Sequence, residues 1–376
     1  MVRQLSERLV KLGHEVTVVT SSQADRTFSN YNGVQIRSFS VSGNAIEGYT
    51  GDVSTYQDFL LNETNQFDVI TFFAAQQWAT DIALPLLTKI RAVKVNVPTG
   101  YSHLYTPAYS EYFKKMKSFI KEYDMNVFLA EDYRDVNFAN ENGVTNKILI
   151  PNGAGEDEFG VAPNEEILRV LGVREGDFVL LHVGSFVHSK GQLDAVDIFL
   201  RSSLEHANLI LVGNKPENFM KQMRRRPFLL VRYLLSHVFG SKKIIHVSLS
   251  RDKTVAIYHN ADLFFFPSMI ECSPIVLFEA MAASTPFLVT DVGNSKEIAK
   301  WSGGGWIMPT VSNATTQGFV RADVGGSVKL LNELWQNNSE LTAAAKSGHK
   351  AWQEKFTWEK IALQYENLYI KLVESK

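Results

Sequence analysis

Cysteine is almost absent from this 376-residue sequence, in which Cys272 is the single one. One cysteine excludes an internal disulfide framework and a cysteine-rich zinc site, and it fits a protein of a reducing compartment. Long apolar runs are lacking as well. No stretch approaches the roughly 18 to 20 uncharged apolar residues that a membrane-spanning helix needs, so the sequence predicts a protein that is soluble or peripheral to a membrane.

A strong net charge is also missing. Lysine and arginine number 38 against 40 aspartate and glutamate residues, which gives a formal net charge of −2. This balance argues against a general nucleic-acid coat or a strongly acidic solubilising chain, so any charged partner must be recognised locally. Hydrophobic side chains make up 45% of the chain, enough for a large core, and the length predicts two domains.

Apolar segments alternate between strand and helix periods along most of the chain. In the first part, strands are predicted at 15–20, 68–73, 92–97 and 126–130, with helices at 2–12, 79–90 and 109–122. In the second part, strands are predicted at 178–183, 208–212, 244–246, 262–266 and 287–290, with helices at 192–204 and 274–283. Such alternation is typical of parallel sheets covered on both faces. The sequence therefore predicts two doubly wound α/β domains joined through the glycine-rich stretch 150–172.

The stretch 261–284 carries the most chemical information. A strand leads into a loop with Glu271, after which Ser273 and Pro274 have the residue types of an N-cap and a first helical position. A helix that begins beside the carboxyl end of a parallel strand favours a phosphate, because its first N–H groups are free. Glu271 and Glu279 flank this start, so they can accept hydrogen bonds from a sugar and a ribose. Taken alone, the pair also fits a helix cap and a solvated helix face.

This stretch resembles the ExxxxxxxE motif of the retaining glycosyltransferases of family 4, which have two facing Rossmann-like domains, the GT-B fold. Five further segments are similar to that family in the same order: LGHEVTVVT (12–20), ILIPNG (148–153), HVGSFVHSKG (182–191), TDVGNSKEI (290–298) and FTWEKIALQYENLYIKL (356–372). The resemblance covers nearly the whole chain. It implies an acceptor-side domain at 1–160, a nucleotide-sugar domain at 161–352, and a C-terminal helix at 353–376 that crosses back to the first domain.

The resemblance also implies where a donor binds. In the family, the first glutamate lies at the donor sugar, the following N–H groups hold the sugar and diphosphate, and the second glutamate binds the ribose. Carried over by position, the donor-binding residues are Gly184, Ser185, Lys190, Gly213, Glu271, Cys272, Ser273, Pro274, Ile275, Val276 and Glu279. Pro274 has no N–H to donate, so only its neighbours can. The implied catalytic residues are Glu271 and Lys190.

Lys190 follows a strand and a glycine turn, where its ammonium can meet the charge that builds on a departing diphosphate. Preorganised stabilisation of this kind contributes roughly 3 to 4 kcal/mol per strong donor. A lysine in that position is commonly only solvated, and it is the resemblance that implies a catalytic role for Lys190. The family commonly has arginine where this chain has Ser185. That departure leaves either weaker stabilisation of the diphosphate or a replacement from another Arg or His, such as His188.

The segment 98–107 follows a predicted strand, and we expect its Tyr101 and His103 to contact the acceptor or the transferred sugar. Packing of a surface loop is the alternative. The resemblance implies that no general base is required, since retaining transfer is described as front-face attack with the leaving phosphate taking the acceptor's proton. No Asp-x-Asp pair follows a strand, and the acidic run 156–158 lies in the predicted linker as solvated charge. We therefore expect no metal and no cofactor besides the nucleotide-diphosphate sugar.

Residues 215–243 hold a local excess of positive charge. Eight basic residues occur there against one acidic residue, Glu217, among apolar residues such as Phe228 and Tyr233. This combination fits a helix lying on an anionic membrane, where each basic residue adds about 1 kcal/mol. A helix packed between neighbours with its arginines outside is one alternative. RNA binding is another, although the aromatic stacking modules that RNA-binding proteins use are not evident.

The sequence begins inside a predicted helix, so the first strand and glycine loop that the resemblance implies are missing from the first domain. Either the natural start lies upstream or the sheet is incomplete. We expect the former, because a missing central strand leaves backbone groups unpaired, and we predict a first domain of poor activity or stability.

Together these features and the resemblance imply a retaining, metal-independent glycosyltransferase in cell-surface polysaccharide or glycolipid synthesis. It would move a sugar from a UDP- or GDP-sugar to a glycan or lipid-linked acceptor, with no nucleic-acid partner. Its expected place is the cytoplasm, peripherally on the inner membrane face. A nucleotide-sugar epimerase of the same fold and a non-catalytic sugar-nucleotide-binding scaffold are the alternatives.

Overall fold

A computed structural model of the protein describes residues 1–161, 164, 166–239, 241–312 and 319–376. The chain divides into two compact units, one made of residues 1–152 with 358–376 and the other of residues 153–357. The sequence predicts the corresponding boundaries at residues 160 and 353. Among the helices of the described ranges, none combines the length and apolarity that a bilayer crossing requires.

The first unit contains a parallel four-stranded sheet and smaller β-structures. Its strands are β1 (Thr17–Ser21), β2 (Asn30–Tyr31), β3 (Val34–Phe39), β4 (Val41–Asn44), β5 (Gly48–Gly51), β6 (Val69–Phe73), β7 (Val93–Val97), β8 (Met125–Phe128) and β9 (Lys147–Leu149). Its helices up to residue 152 are α1 (Val2–Lys11), α2 (Val53–Asp58), α3 (Trp78–Ala83), α4 (Ser110–Phe119) and α5 (Arg134–Glu141). Shorter helical turns cover Phe59–Glu63, Thr64–Gln66, Leu84–Lys89 and Pro107–Tyr109.

The strands of the first unit form separate sheets. The four-stranded sheet has the order β6-β7-β8-β9, β1 pairs in parallel with β3, and β4 and β5 form an antiparallel hairpin. The helix predicted at 79–90 is interrupted: α3 stops at Ala83 and a 3₁₀ turn containing Pro85 continues the chain. Proline removes a helical N–H and clashes with the preceding turn, which explains the break.

The second unit is a three-layer α/β structure. Its strands are β10 (Phe178–Val183), β11 (Ala207–Val212), β12 (Lys242–Val247), β13 (Leu263–Phe266), β14 (Phe287–Thr290), β15 (Gly305–Met308), β16 (Thr310–Ser312) and β17 (Val320–Ala322). Its helices are α6 (Glu156–Phe159), α7 (Glu166–Val170), α8 (Gln192–Arg201), α9 (Glu217–Met223), α10 (Pro227–Phe239), α11 (Arg251–His259), α12 (Ile275–Ala282), α13 (Ser295–Ser302), α14 (Val324–Gln336) and α15 (Asn338–Ala351). Helical turns cover His188–Lys190 and Trp352–Phe356. Of the predicted linker 150–172, residues 162, 163 and 165 lie outside the described residues.

The order of strands in the second sheet creates a switch point. The parallel order is β12-β11-β10-β13-β14-β15, so the chain moves outward from β10 in one direction and, from β13 onward, in the other. The loops that leave the carboxyl ends of β10 and β13 therefore diverge. Open α/β sheets bind ligands at this position.

Alternate side chains of the central strands fill two separate cores. Leu181, Phe264 and Phe266 belong to one cluster with residues of α11 and α12, while Leu180 and Phe265 belong to the other with residues of α8 and α14. All five are buried. Burial on both sheet faces explains why these strands have nearly continuous apolar sequences.

The last helix, α16 (Trp358–Glu374), belongs to the first unit and packs against α1. The Tyr369 hydroxyl lies 2.7 Å from Oγ1 of Thr71 on β6. His14 Nε2 lies 2.8 Å from Glu366 Oε1. The last helix therefore packs as part of the first unit.

Candidate functional site

A glycine brings the loops after β10 and β13 together. Gly191 follows the 3₁₀ turn His188–Lys190 with φ of 73°, and a Cβ there would collide with the carbonyl oxygen of Pro267. Only glycine combines this backbone conformation with so close an approach. Met269 N donates to Ser189 O at 2.8 Å across the same contact. The two loops at the switch point thus form one packed surface.

Lys190 and Glu271 meet on this surface. Lys190 Nζ donates to Glu271 Oε1 at 2.6 Å, and both side chains are partly buried. The hydroxyl of Ser268, which is completely buried, donates to the same carboxylate oxygen at 2.7 Å. Charge-assisted bonds of this length hold both groups in defined positions. The structure therefore brings together the two residues that the resemblance names as catalytic.

His182 on β10 contacts the backbone of Lys190, and the sequence alone does not indicate this contact. Burial lowers the pKa of the fully buried His182 to about 4, so the ring is neutral at pH 7. Its Nε2 lies 2.9 Å from the carbonyl oxygen of Lys190. A carbonyl can only accept, so Nε2 carries the proton and donates. His182 thereby fixes the backbone of the residue that carries the ammonium.

The helix after Glu271 starts one residue later than predicted. Pro274, expected at the first helical position, is the N-cap of α12, and no side-chain capping bond is described there, so Ser273 is not the N-cap. The N–H groups of Ile275 and Val276 have no intrahelical partners at this position. Gly293 contacts the Cys272 backbone so closely that a Cβ would collide with the Cys272 carbonyl oxygen, to which Asn294 N donates at 2.9 Å. The backbone before α12 is therefore held in place.

Glu279 on α12 forms an ion pair instead of facing solvent. It is 7% exposed, and its Oε1 lies 2.7 Å from Nη2 of Arg251, the first residue of α11. The same nitrogen lies 2.9 Å from Glu158 Oε2. Although burial opposes the charge of Arg251, the two carboxylates raise its pKa. The expectation that the run 156–158 is only solvated charge is therefore wrong for Glu158, because Arg251 binds it.

The other predicted donor-side residues lie at the ends of β10 and β11. A Cβ on Gly213 would collide with the carbonyl oxygen of Gly184, so glycine lets these strand ends approach. Gln192 Nε2 donates to Ser185 O at 2.8 Å, which ties the loop to the start of α8. His188, the suggested replacement cation, is exposed on the turn that contains Lys190.

Of the two acceptor-side candidates, Tyr101 is buried in the first unit and His103 is exposed. Tyr101 has no exposed surface and packs its ring edge-on against Phe113 and Phe138, at centroid distances of 5.0 and 5.4 Å. The expectation that Tyr101 contacts an acceptor is wrong, because its ring is part of the core. The imidazole of His103 stacks on Tyr109 at 4.6 Å.

Three non-glycine residues with positive φ follow the strands β6 and β7 at their carboxyl ends. They are Ala74 and Gln76, both with φ of 63°, and Thr99 with φ of 56°. Buried Asp81 holds this region, since its Oδ1 accepts from Gln76 N at 3.1 Å and from the Tyr112 hydroxyl at 2.7 Å. Such conformations cost of order 1–3 kcal/mol each and cluster at functional sites. No sequence signal indicates them, because none of the three is a glycine.

Within the described ranges, no group of three or more His, Cys, Asp or Glu side chains is placed to hold a metal ion. Metal independence stays a prediction.

Comparisons with known proteins agree with this architecture. Residues 163–317 match the family model described as glycosyl transferases group 1. An uncharacterised glycosyltransferase of Methanocaldococcus jannaschii is 24% identical over 394 residues, covering 97% of this chain and 92% of the relative. The solved sucrose-phosphate synthase of Thermosynechococcus elongatus has a TM-score of 0.77 at 17% identity and covers 100% of this chain and 93% of that chain. The chain has the GT-B fold.

A further solved GT-B neighbour is Anabaena HepE in complex with UDP-glucose. Its TM-score is 0.70 at 13% identity, with 100% of this chain and 95% of that chain covered. The segment that matches the family model contains Lys190, Glu271, Glu279 and Arg251. Both ion pairs, Lys190 with Glu271 and Arg251 with Glu279, thus lie in the part of the chain that is similar to glycosyl transferases group 1.

Proposed function

We propose that the protein is a retaining, metal-independent glycosyltransferase that uses a nucleoside-diphosphate sugar. The family match and the names of the relatives support sugar transfer. The observation that carries the proposal is the 2.6 Å contact between Lys190 and Glu271. The two residues lie on the loops on either side of the switch point, and Glu271 precedes the first residue of α12 by four positions. An ammonium, a carboxylate and a helix N-terminus suit a diphosphate joined to a sugar.

The proposed donor lies with its diphosphate at the first N–H groups of α12 and its sugar near Glu271. Glu279 accepts hydrogen bonds from the ribose, and Arg251 holds the Glu279 carboxylate in place. A UDP- or GDP-sugar fits these groups, and HepE is a GT-B neighbour with UDP-glucose bound. The acceptor is a hydroxyl of a glycan or of a lipid-linked acceptor, at the cytoplasmic face of a membrane.

In the proposed transfer, the acceptor oxygen bonds to the anomeric carbon as the bond from that carbon to the phosphate oxygen breaks. The bonding electrons leave with the diphosphate, and the acceptor's proton passes to a phosphate oxygen on the same face. Lys190 stabilises the growing charge on the diphosphate, by roughly 3 to 4 kcal/mol if it acts as one preorganised donor. Glu271 stabilises the positive charge that develops on the sugar.

A nucleotide-sugar screen followed by one substitution tests the proposal. Thermal shift with UDP- and GDP-sugars should identify a ligand, which at a hundred times its dissociation constant stabilises by about 2.7 kcal/mol. Lys190→Met should then lower the rate of nucleoside-diphosphate release from that sugar by roughly 10²- to 10³-fold. Lys329→Met, at an exposed position on α14, is the matched control and should leave the rate unchanged.

The same measurements separate the alternatives. If NMR shows that the sugar is converted to its epimer in the absence of an acceptor, the protein is an epimerase and not a transferase. Binding of a nucleotide sugar with no release of nucleoside diphosphate, in the presence of glycan and lipid-linked acceptors, would favour a scaffold. Equal release by the parent and Lys190→Met would remove Lys190 from the proposed chemistry.

A further inference from the structure

Helix α10 presents an apolar face outward from the second unit. Leu229 and Tyr233 on its inner side are buried. On the outer side Phe228 is 86% exposed, Val231 54%, and Leu234 and Leu235 52% each. The spacing of these four residues places them on one side of the helix, opposite Tyr233. We call Phe228, Val231, Leu234 and Leu235 the outer face of α10. Contiguous exposed apolar side chains of this kind mark interaction surfaces.

The helix is anchored to the unit, so the outer face is a fixed surface. Arg226, just before α10, donates from Nη1 to Asp194 Oδ1 on α8 at 2.7 Å. Arg321 on β17 donates to the same oxygen at 3.0 Å. On the inner side, the ring of Tyr233 packs edge-on against Phe219 of α9 at 5.8 Å. These contacts fix which side of α10 faces the protein.

Four of the eight basic residues of 215–243 bond to oxygen atoms of the second unit; one of them is Arg232, whose Nη1 lies 3.3 Å from Asp197 Oδ1. Arg226 is bound to Asp194, Lys242 Nζ donates to Phe199 O at 2.7 Å, and Lys243 Nζ donates to Gly172 O at 3.0 Å. The other four are exposed: Lys215 lies before α9, and Lys221, Arg224 and Arg225 lie at the end of α9 and in the turn before α10. Residues 218–243 contain no Asp or Glu. Lys221, Arg224 and Arg225 therefore precede Phe228, the first residue of the outer face, by three to seven positions with no acidic residue between them.

We propose that the outer face of α10, together with Lys221, Arg224 and Arg225, docks on an anionic lipid bilayer. The apolar side chains enter the boundary between headgroups and acyl chains, and the cations bind lipid phosphates at the surface. An apolar protein surface that covered only the four apolar residues would leave the cations without a role. A second copy on the same face brings two positively charged surfaces together, which electrostatics disfavours.

RNA is the less suitable polyanion for this surface. Single-stranded RNA is bound through exposed aromatic rings on which bases stack. Of the two aromatic residues in 227–236, Tyr233 is buried and only Phe228 is exposed, between aliphatic neighbours. The bilayer uses both the aliphatic and the cationic parts of the surface. Gly240 and the side chains of 237–239 lie outside what the structure describes, and the proposal does not use them.

Vesicle sedimentation of the full chain tests the proposal. The parent should bind vesicles of phosphatidylcholine mixed with phosphatidylglycerol at least about tenfold more tightly than vesicles of phosphatidylcholine alone, and high salt should reduce the difference. The double variant Arg224→Glu, Arg225→Glu should lower the partition coefficient on anionic vesicles by more than about tenfold. Phe228→Ser with Leu235→Ser should lower it by a similar factor, since two apolar anchors are lost.

Matched controls use exposed residues away from α10. Val170→Ser replaces an apolar residue that is 77% exposed, and Lys329→Glu reverses an exposed cation on α14; neither should change the partition coefficient. The α10 variants should retain the parent's melting temperature and its response to nucleotide sugars, so that failure of docking is distinct from failure of the donor site.

Three results would overturn the proposal. One is equal binding of the parent to neutral and anionic vesicles, or none to either. Another is α10 variants that bind like the parent. The third is a concentration-dependent dimer, seen by sedimentation velocity, that disappears in the Phe228→Ser, Leu235→Ser variant without a loss of vesicle binding; it would assign the outer face to a second copy.

Discussion

The Arg251 bridge allows a stringent test of the donor side of the site. Arg251 contacts Glu279 at 2.7 Å and Glu158 at 2.9 Å, and Glu279 is 7% exposed. Arg251→Met keeps the apolar stem of the side chain but leaves Glu279 nearly buried, with its cation removed and a second carboxylate nearby. Removing one partner of a buried pair costs roughly 3–5 kcal/mol. Because the Arg251 side chain is 42% exposed, water can solvate the site and reduces this cost, and we expect the free energy of unfolding to fall by about 2 kcal/mol.

Differential scanning calorimetry of the full chain measures this loss. For a unit of roughly 200 residues, about 2 kcal/mol corresponds to a decrease of about 4–8 °C in Tm. Arg201→Met is the matched control, because the Arg201 side chain is 47% exposed and pairs with Asp197 within one helix at 2.7 Å. Exposed pairs of that kind contribute about 0.2–1 kcal/mol, so its Tm should change little.

A second substitution decides whether the effect comes from the ion pair. In the parent, Glu279→Gln should destabilise because it weakens the bond to Arg251. In the Arg251→Met background the same change should stabilise, because it removes a carboxylate that has lost its cation. The expected sign reversal is a coupling that contacting residues show and distant ones do not. Strictly additive changes in free energy, or an Arg251→Met loss no larger than that of Arg201→Met, would refute the assignment.

The bridge also has an expected effect on the donor. If Arg251 holds Glu279 for the ribose, Arg251→Met should weaken binding of the nucleoside diphosphate by roughly 10- to 100-fold, since a hydrogen bond to a charged group contributes about 1.5–3 kcal/mol. Inorganic pyrophosphate has no ribose, so its affinity should be unaffected. Calorimetric titration measures both. Equal weakening of both ligands would place the effect on the phosphates instead.

Two further changes test the support around Lys190. Burial lowers the pKa of His182 to about 4, from about 6.5 in an unfolded chain. The contribution of the neutral ring to the free energy of unfolding, about 3 kcal/mol, is therefore fully present above pH 6.5 and is lost as the pH falls toward 4. His182→Gln should flatten the pH dependence of Tm. Gly191→Ala should cost several times more stability than Gly176→Ala, because both glycines have positive φ but only a Cβ at 191 collides with Pro267; chemical denaturation compares the two, and equal losses would show that the loop contact is not tight.

The sheet of the second unit could be predicted from the sequence because its strands are buried on both faces. β10 and β14 have the bounds expected from their apolar runs, 178–183 and 287–290. Strands with mixed exposure escape such prediction: β4 and β5 form a mostly exposed hairpin whose glycines and polar residues lack a strand period. Periodicity reports burial, so it is silent where a strand is mostly solvated.

The site was predictable only where the chain places residues close in sequence or where a motif marks them. The loops with Lys190 and Glu271 follow two strands that the sequence indicates, and parallel order brings their ends together. Arg251 and Glu279 meet because α11 and α12 pack into the same core of the second unit, which no spacing rule encodes. The prediction for Tyr101 is wrong for a related reason, since a loop residue next to glycine and serine has no local signal of its complete burial.

The contact of Lys190 with Glu271 also bears on how the proposed transfer favours the transition state. An ammonium has three N–H donors, and Glu271 and its 2.6 Å bond use one of them, so a diphosphate can bind Lys190 without breaking the pair. The nearby carboxylate disfavours the ground-state diphosphate by repulsion, but it favours a sugar that carries positive charge. Only interactions that strengthen in the transition state raise the rate. The pair therefore serves the proposed chemistry better than an isolated lysine would, because it binds the separated charges of the transition state more strongly than the intact donor.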